Sequence, residues 1–224
     1  MIFNQQVAAL VPMKEHSERV PGKNTRLFSG KPLFHHILGT LEETYTVDRI
    51  VVDTDSERIA EEAKSLFPKV HVIERPEELQ GDLVSMNKLI AYDMSQVASD
   101  IYLQTHATNP LLRSKTISDA LRAFARSEEY DSLFTVNRFQ TRLYTADGEP
   151  INHDPNELIR TQDLPPVYED NSCLYIFTSE SFKKHGRRIG DKPLMYETDH
   201  IESIDIDDEY TFRLAEMLAG YAHQ

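Results

Sequence analysis

The chain has 224 residues, 40% hydrophobic and 27% charged, which predicts a folded domain with a substantial core. Its 37 acidic residues outnumber its 24 basic ones, and the formal charge of -13 argues against DNA, RNA or an anionic membrane as the main partner. The sequence predicts neither a signal peptide nor a membrane-spanning segment. The single Cys173 excludes an internal disulfide and a cysteine-only zinc site, and it fits a reducing cytoplasm.

Short apolar runs alternate with segments of helical periodicity along the first 136 residues. Strands are predicted at 7–11, 49–54, 70–73, 100–104 and 132–136. Helices are predicted at 32–44, 57–67, 84–97 and 114–126. The alternation predicts an α/β fold with a mostly parallel sheet flanked by helices.

The pattern changes after the fifth predicted strand. Residues 137–170 carry turn signals and little periodicity, which predicts a hairpin and loop excursion that serves as a lid, a dimerisation arm or both. The sheet is expected to resume at 174–178. A further strand is predicted at 202–208, before a closing helix at 209–221. Without a repeat or a linker, residues 1–224 are expected to form a single domain.

A basic loop follows the first predicted strand, in the sequence VPMKEHSERVPGKN from Val11 to Asn24. Between Lys14 and Lys31 five basic side chains stand against two acidic ones, inside an acidic protein. This local excess suggests a specific small anion such as a nucleotide phosphate. An ordinary solvated loop is the alternative for the stretch alone.

Two aspartates near the end of the chain are candidates for a metal site. In a strand, Ile204 and Ile206 would share one face, which places Asp205 and Asp207 on the other, about 7 Å apart. Such a pair suits Mg²⁺ bound with waters and substrate phosphates. For the carboxylates alone, a solvated acidic strand end before a helix is an equal alternative.

The sequence Asp53-Thr54-Asp55 permits another hypothesis, an aspartyl-phosphate nucleophile of the haloacid-dehalogenase type. That chemistry needs the motif after the first strand, whereas here it follows the second. Helix capping and local polar contacts are therefore the favoured interpretation of these residues.

Taken together, the motifs resemble those of the CMP-sugar-acid synthetases. These are the acylneuraminate cytidylyltransferases and their relatives for other nonulosonic acids, with 3-deoxy-manno-octulosonate cytidylyltransferase more distant. The resemblance covers nearly the whole chain and implies a Rossmann-like nucleotidyltransferase fold. It rests on VPMKEHSERVPGKN, RIVVDTD, Arg75-Pro76 with Glu78-Leu79 and Asp82, ATNPLLR, Asn171 before CLYIF, and SIDIDD.

The resemblance implies roles for individual residues. The resemblance implies that the residues binding CTP are Lys14, Ser17, Lys23, Asn24, Arg75, Asp82 and Ser85. Lys14 and Lys23 are also taken as catalytic. At the metal it implies Asp205 and Asp207, which the family uses for Mg²⁺, with Asp207 taken as catalytic. Around the sugar it implies His106, Thr108, Asn109 and Asn171.

Two positions depart from the family pattern. Glu18 stands where the family commonly has a lysine, and the adjacent Arg19 could supply the missing donor to the phosphates. Glu169 aligns roughly with an arginine that contacts the sugar carboxylate, and Arg142 or Arg160 could substitute for it.

The sequence therefore predicts a Mg²⁺-dependent cytidylyltransferase that activates a sugar acid with CTP, in the cytoplasm and as a homodimer through the excursion. Two alternatives remain open. One is a nucleotidyltransferase of the same fold with another acceptor or base. The other is a non-catalytic nucleotide- or sugar-binding relative.

Overall fold

A computed structural model describes residues 5–222. The helices are α1 Leu33–Glu43, α2 Glu57–Leu66, α3 Met86–Gln96, α4 Ser114–Ala125, α5 Ser179–His185 and α6 Glu209–Ala222. The strands are β1 Val7–Leu10, β2 Leu27–Phe28, β3 Lys31–Pro32, β4 Arg49–Thr54, β5 Val70–Glu74, β6 Ile101–Gln104, β7 Ser132–Phe139, β8 Val167–Thr178 and β9 Pro193–Glu197.

Seven of these strands form one sheet in the order β5-β4-β1-β6-β8-β7-β9. Strand β8 runs antiparallel to β6 and β7, and the other described pairings of this sheet are parallel. The prediction of a mostly parallel, helix-flanked sheet is confirmed. The small β2–β3 hairpin lies apart from it, just before α1.

The sheet is buried on both faces, as the near-continuous apolar sequence of β4 indicated. Ile50 and Val52 point to one side, into a core with α1, α2 and α4. Val51 points to the other side, into a second cluster with residues of α3 and α5. A third cluster packs α6 against the β2–β3 hairpin through Phe212 and Phe28.

Helix α2 begins as predicted, because the Ser56 side chain accepts a hydrogen bond from the Ile59 N–H at 3.5 Å. The apolar spacing of this segment predicts one buried stripe of Ile59, Ala60, Ala63, Leu66 and Phe67, and for Leu66 that prediction is wrong. Leu66 is 54% exposed, because Phe67 takes the position four residues after the buried Ala63 and packs against the core.

The prediction of a strand at 202–208 is wrong. The sheet edge beside β7 is occupied by β9, a strand that was not predicted, so the segment with the two aspartates follows an irregular path. A backbone hydrogen bond from the Ile206 N–H to the Thr108 carbonyl, at 2.9 Å, ties it to the loop after β6. The Ile206 side chain is fully buried in the cluster of α6.

The excursion is shorter than predicted. Strand β7 continues to Phe139 and β8 already begins at Val167, so the two form an antiparallel ribbon that supports a loop over 140–166. Among the helices described, none combines the length and apolar character needed to cross a membrane.

Candidate active site

A cleft of about 590 Å³ lies at the carboxyl ends of β1 and β6. This is the usual place for a ligand in an open α/β sheet, and the volume is in the range of small-molecule sites. Its walls come from the loop after β1, the segment before α3, the loop after β6, and four residues from later in the chain. These four are Ser172, Arg188, Asp205 and Asp207.

The structure brings most of the predicted site residues to this one cleft. Those that line it are Lys14, Ser17, Arg19, Lys23, Asn24, Arg75, Asp82, His106, Thr108, Asp205 and Asp207. Glu18, the departure from the expected basic pattern, lines it as well.

The basic loop is held in place by backbone and buried contacts. The Met13 N–H donates to the Asp53 carbonyl at 2.8 Å, which continues the pairing of β1 with β4. The Asn24 amide donates to the Lys14 carbonyl at 2.8 Å and closes the loop on itself. Arg75 is buried and donates to the Asp53 carboxylate at 3.0 Å and to the Met13 carbonyl at 3.4 Å. Arg75 therefore positions the loop from behind, although it also lines the cleft.

Two cations of the loop form ion pairs across the cleft. Lys14 pairs with Asp82, and the Arg19 guanidinium lies 2.7 Å from the Asp207 carboxylate. All four side chains are at least 41% exposed, so each pair contributes only about 0–1 kcal/mol. An incoming anion or cation can replace them at low cost.

The acidic pair has unsatisfied acceptor capacity. Oδ1 of Asp205 is buried and has no hydrogen-bond partner among the described residues. Burial raises the pKa of Asp205, and a hydrogen bond from Thr108 and the nearby Lys23 oppose that rise. A buried carboxylate oxygen beside a second, more exposed carboxylate fits a hard divalent cation.

Lys23 lies beside this pair, with Nζ donating to the Ile206 carbonyl at 2.6 Å. Burial lowers the Lys23 pKa, and the two aspartates oppose the change. Within residues 5–222 no three His, Cys, Asp or Glu side chains converge in a way that would hold a metal by themselves. A cation here would need waters and a ligand's oxygens to complete its shell.

Five predicted site residues do not line the cleft of their own chain. Ser85 precedes α3. Asn109 is buried and its amide donates to the Ile204 carbonyl at 3.4 Å. Arg142 donates to the Ile159 carbonyl at 2.5 Å and Arg160 pairs with Asp163 at 2.7 Å, both within the excursion.

Asn171 is the fifth of these residues, and its amide is fully used inside the protein. It donates to Asn137 at 3.0 Å and to Thr198 at 2.7 Å, and it accepts from Thr135 at 2.7 Å. It therefore joins β7 and β8 to the segment after β9. Glu169 likewise stays outside the cleft and accepts from the Asn137 amide at 3.0 Å.

The aspartyl-phosphate hypothesis is wrong for this chain. Asp53 is 0% exposed and is paired with the buried Arg75, so a phosphate ester cannot reach it. The carboxylate of Asp55 accepts the Glu15 N–H at 2.8 Å, a local contact of the kind expected.

Two polar residues of the cleft wall, Arg188 and Ser172, were not predicted as site residues. Ser172 has a φ of 59°, which is unusual for a residue other than glycine and turns the chain near the cleft. Arg188 belongs to a basic turn that follows α5. Its approach to the cleft depends on long-range packing, so no local sequence signal could have revealed it.

A family model described as cytidylyltransferase matches residues 8–219. The chain belongs to the cytidylyltransferase family. Similarity extends to an N-acylneuraminate cytidylyltransferase A of Danio rerio, 27% identical over 95% of this chain. It also extends to a CMP-N,N'-diacetyllegionaminic acid synthase of Legionella pneumophila, 28% identical over 95% of this chain and 96% of that relative.

The chain spans about half the length of the Danio rerio relative, at 50%. Among solved structures, CMP:2-keto-3-deoxy-manno-octonic acid synthetase complexed with CTP has a TM-score of 0.72. It covers 97% of this chain and 99% of its own at 13% identity, which establishes the shared fold. The predictions of family and fold are therefore confirmed.

Proposed function

We propose that the chain transfers CMP from CTP to a sugar acid and releases pyrophosphate. The observation that carries the proposal is the meeting of Lys14, Arg19 and Lys23 with Asp205 and Asp207 in one cleft of a cytidylyltransferase. The relatives named above are enzymes for N-acylneuraminate and N,N'-diacetyllegionaminic acid, which supports a sugar acid as the acceptor.

Lys14, Arg19 and Lys23 would hold the triphosphate, with Ser17 and Asn24 in the same loop. In the free chain Lys14 and Arg19 are paired with carboxylates, and phosphate oxygens would replace those carboxylates. Lys23 differs from them because burial lowers its pKa and because it is bonded to a backbone carbonyl and not to a carboxylate. A less exposed cation interacts more strongly with a nearby phosphate, so Lys23 is expected to contribute most to CTP binding.

Asp205 and Asp207 would hold Mg²⁺. The ion, when bound, supplies positive charge to the phosphate oxygens and to the leaving pyrophosphate. The partnerless oxygen of Asp205 supports this assignment, as does the weak, exposed pairing of Asp207 with Arg19. On release from Asp207, Arg19 could turn to the phosphates and offset the charge of Glu18.

In the proposed reaction a hydroxyl oxygen of the sugar, anomeric in this family, forms a bond to the α-phosphorus. The bond from that phosphorus to the bridging oxygen breaks, pyrophosphate leaves with the electron pair, and the hydroxyl proton passes to solvent. The protein contributes positioning and charge neutralisation, with no covalent intermediate.

A pyrophosphate-release assay tests the function. CTP is offered with N-acetylneuraminate, N,N'-diacetyllegionaminate, pseudaminate and 2-keto-3-deoxy-manno-octonate, and each acceptor is repeated with ATP, GTP and UTP. We expect release with CTP and at least one acid. Release with a different nucleotide would mean another base. CTP binding without release for every acceptor would indicate a non-catalytic relative.

We also propose a homodimer formed through the excursion, and a cytoplasmic location where CTP and a reduced Cys173 are available. The excursion exposes Tyr144 at 53%, Ile151 at 57% and Leu158 at 88%. Three exposed apolar side chains on one loop fit an interface between two copies. Light scattering should give twice the chain mass, and Leu158→Glu with Ile151→Glu should yield monomers. A monomeric unmodified chain would contradict the proposal.

A further inference from the structure

Arg188 stands apart from the other cations of the cleft. It follows α5, lines the cleft together with His106 and Ser172, and is half-buried. The loop cations Lys14, Arg19 and Lys23 come from the segment after β1. The cleft therefore has a second source of positive charge that the triphosphate residues do not explain.

The Arg188 guanidinium is rigidly held but incompletely satisfied. Its central carbon, Cζ, lies 3.6 Å from the centre of the Tyr175 ring, and Nη1 donates to the side-chain amide oxygen of Gln104 at 2.5 Å. Within residues 5–222 no carboxylate lies within ion-pair distance of it, and Nε and Nη2 have no hydrogen-bond acceptor. Tyr175 itself is fixed by two contacts to the Asp170 carboxylate, at 2.9 and 3.0 Å.

Arg188 also fixes the state of His106 through Gln104. Because a guanidinium only donates, the Gln104 oxygen must face Arg188 and its amide nitrogen must face the other way. That nitrogen lies 3.0 Å from Nε2 of His106, which must therefore accept and carry no proton. Burial and the Arg188 charge hold the His106 pKa down to about 4, so the ring is neutral and its Nδ1–H can donate to a ligand.

This wall of the cleft thus presents fixed donors and a single unpaired charge. Two free N–H groups of a guanidinium match the two oxygens of a carboxylate, the geometry in which arginine binds acids most strongly. Burial lowers the Arg188 pKa, and the nearby Asp170 carboxylate offsets only part of that change, so the guanidinium still lacks a counter-ion in direct contact. A bound anion would supply that counter-ion.

Resting on the proposed function, we propose that Arg188 binds the carboxylate of the sugar acid and determines the specificity of the enzyme for acidic acceptors. In a 2-keto sugar acid the carboxylate is attached to the anomeric carbon. Holding the carboxylate therefore also fixes the hydroxyl that attacks the α-phosphorus. The neutral His106 donates to an uncharged group of the same sugar.

The test compares the Arg188→Met and Arg188→Lys variants with the unmodified chain. The assay measures kcat/KM for pyrophosphate release with the best sugar acid and with the carboxamide of that acid. If the carboxamide does not react, its inhibition constant is measured. We expect Arg188→Met to lower kcat/KM for the acid by about 10- to 100-fold, because it removes a charge-assisted bidentate contact. The kcat/KM of the Arg188→Lys variant for the acid should lie between those of Arg188→Met and the unmodified chain. The KM for CTP should change less than threefold.

The carboxamide separates a direct contact from an indirect one. If Arg188 contacts the carboxylate, Arg188→Met should lower kcat/KM for the acid far more than the kcat/KM or affinity for the carboxamide. The variant would then no longer prefer the acid. An equal loss for both compounds would mean that Arg188 acts only through Gln104 and His106, and it would overturn the proposal. An unchanged kcat/KM for the acid would overturn it as well.

Arg187→Met is the matched control, since it removes the same charge one residue away. Arg187 is exposed and pairs with Asp191 at 2.9 Å, away from the cleft. Its kinetics should match those of the unmodified chain. If the unmodified chain releases no pyrophosphate with any sugar acid, the proposed function itself is wrong and this inference falls with it. An active unmodified chain with an unaffected Arg188→Met variant defeats this inference alone.

Discussion

Replacing Asp93 with asparagine should change how the stability of the protein depends on pH. The Asp93 carboxyl group is 0% exposed and faces Asp53, which is itself 0% exposed and paired with Arg75. With both carboxylates ionised, Oδ2 of Asp53 and both oxygens of Asp93 lack hydrogen-bond partners among the described residues. One proton shared between the two groups would pair Oδ2 of Asp53 with one oxygen of Asp93 and leave only one of the three oxygens without a partner. Burial and the Asp53 charge raise the Asp93 pKa to about 8.

The sign of the effect follows from the raised pKa. Between the ordinary pKa of 3.8 and about 8, the folded chain keeps a proton on Asp93 that the unfolded chain has lost. The free energy of unfolding should therefore fall by up to about 1.4 kcal/mol per pH unit as the pH rises through this window. From pH 5 to pH 7 the loss from this one group is up to roughly 2.7 kcal/mol.

Asp93→Asn keeps the shape of the protonated acid and does not titrate, so the difference between the two proteins isolates this group. Urea unfolding of both chains at pH 5, 6, 7 and 8 gives the free energies of unfolding. We expect the variant to gain stability relative to the unmodified chain as the pH rises. A difference that stays constant over this range would refute the reasoning and would mean that Asp93 has the same charge in both states.

Two further predictions concern the cleft. Asp207→Asn should reduce pyrophosphate release at least 100-fold, while circular dichroism and the urea midpoint stay close to those of the unmodified chain. The control Asp208→Asn removes the same charge one residue away, keeps a side chain that can cap α6, and should stay active. Near-normal activity of Asp207→Asn would contradict the proposed metal site. Lys23→Met should raise the KM for CTP about 10-fold or more and the KM for the sugar acid much less, because it removes the half-buried cation proposed to contact phosphate. The control Lys31→Met, at an exposed position, should change neither KM value. Parallel rises in both KM values would contradict a phosphate role for Lys23.

The parts of the fold that follow local sequence rules could be predicted. The β4 sequence reads as a strand buried on both faces because Ile50, Val51 and Val52 are consecutive apolar residues, and five of its six residues are buried. The cap at Ser56 needs only one hydroxyl three residues before a free N–H. The loop after β1 could be assigned because its charge differs from that of the whole chain.

The parts that depend on distant contacts could not be predicted. The alternating sequence of 202–208 resembles a strand, but the edge position beside β7 is taken by β9. Asp205 and Asp207 still meet at the cleft, because burial of Ile206 and its backbone hydrogen bond to Thr108 fix the segment between them. Both aspartates therefore line one cleft without the strand geometry from which this was expected, and their role as metal ligands stays a prediction.

A last prediction concerns Glu18, because its negative charge disfavours the binding of a triphosphate to the loop that contains it. It lines the cleft, is exposed, and lies close to Asp82, the partner of Lys14. A carboxylate near a bound triphosphate repels it, so Glu18→Gln should lower the KM for CTP by about two- to fivefold in dilute buffer. Because Glu18 is exposed, the gain should shrink as salt is added.

Glu15→Gln is the control for this prediction, since Glu15 is exposed on the same loop but does not line the cleft. Its KM for CTP should stay close to that of the unmodified chain. If Glu18→Gln instead raises the KM for CTP, the carboxylate must help to hold Asp82 and Lys14 in place. In that case the loop tolerates an acidic residue because the residue organises a phosphate ligand. If the KM falls, the loop binds CTP despite Glu18, and the cations around it must outweigh its charge.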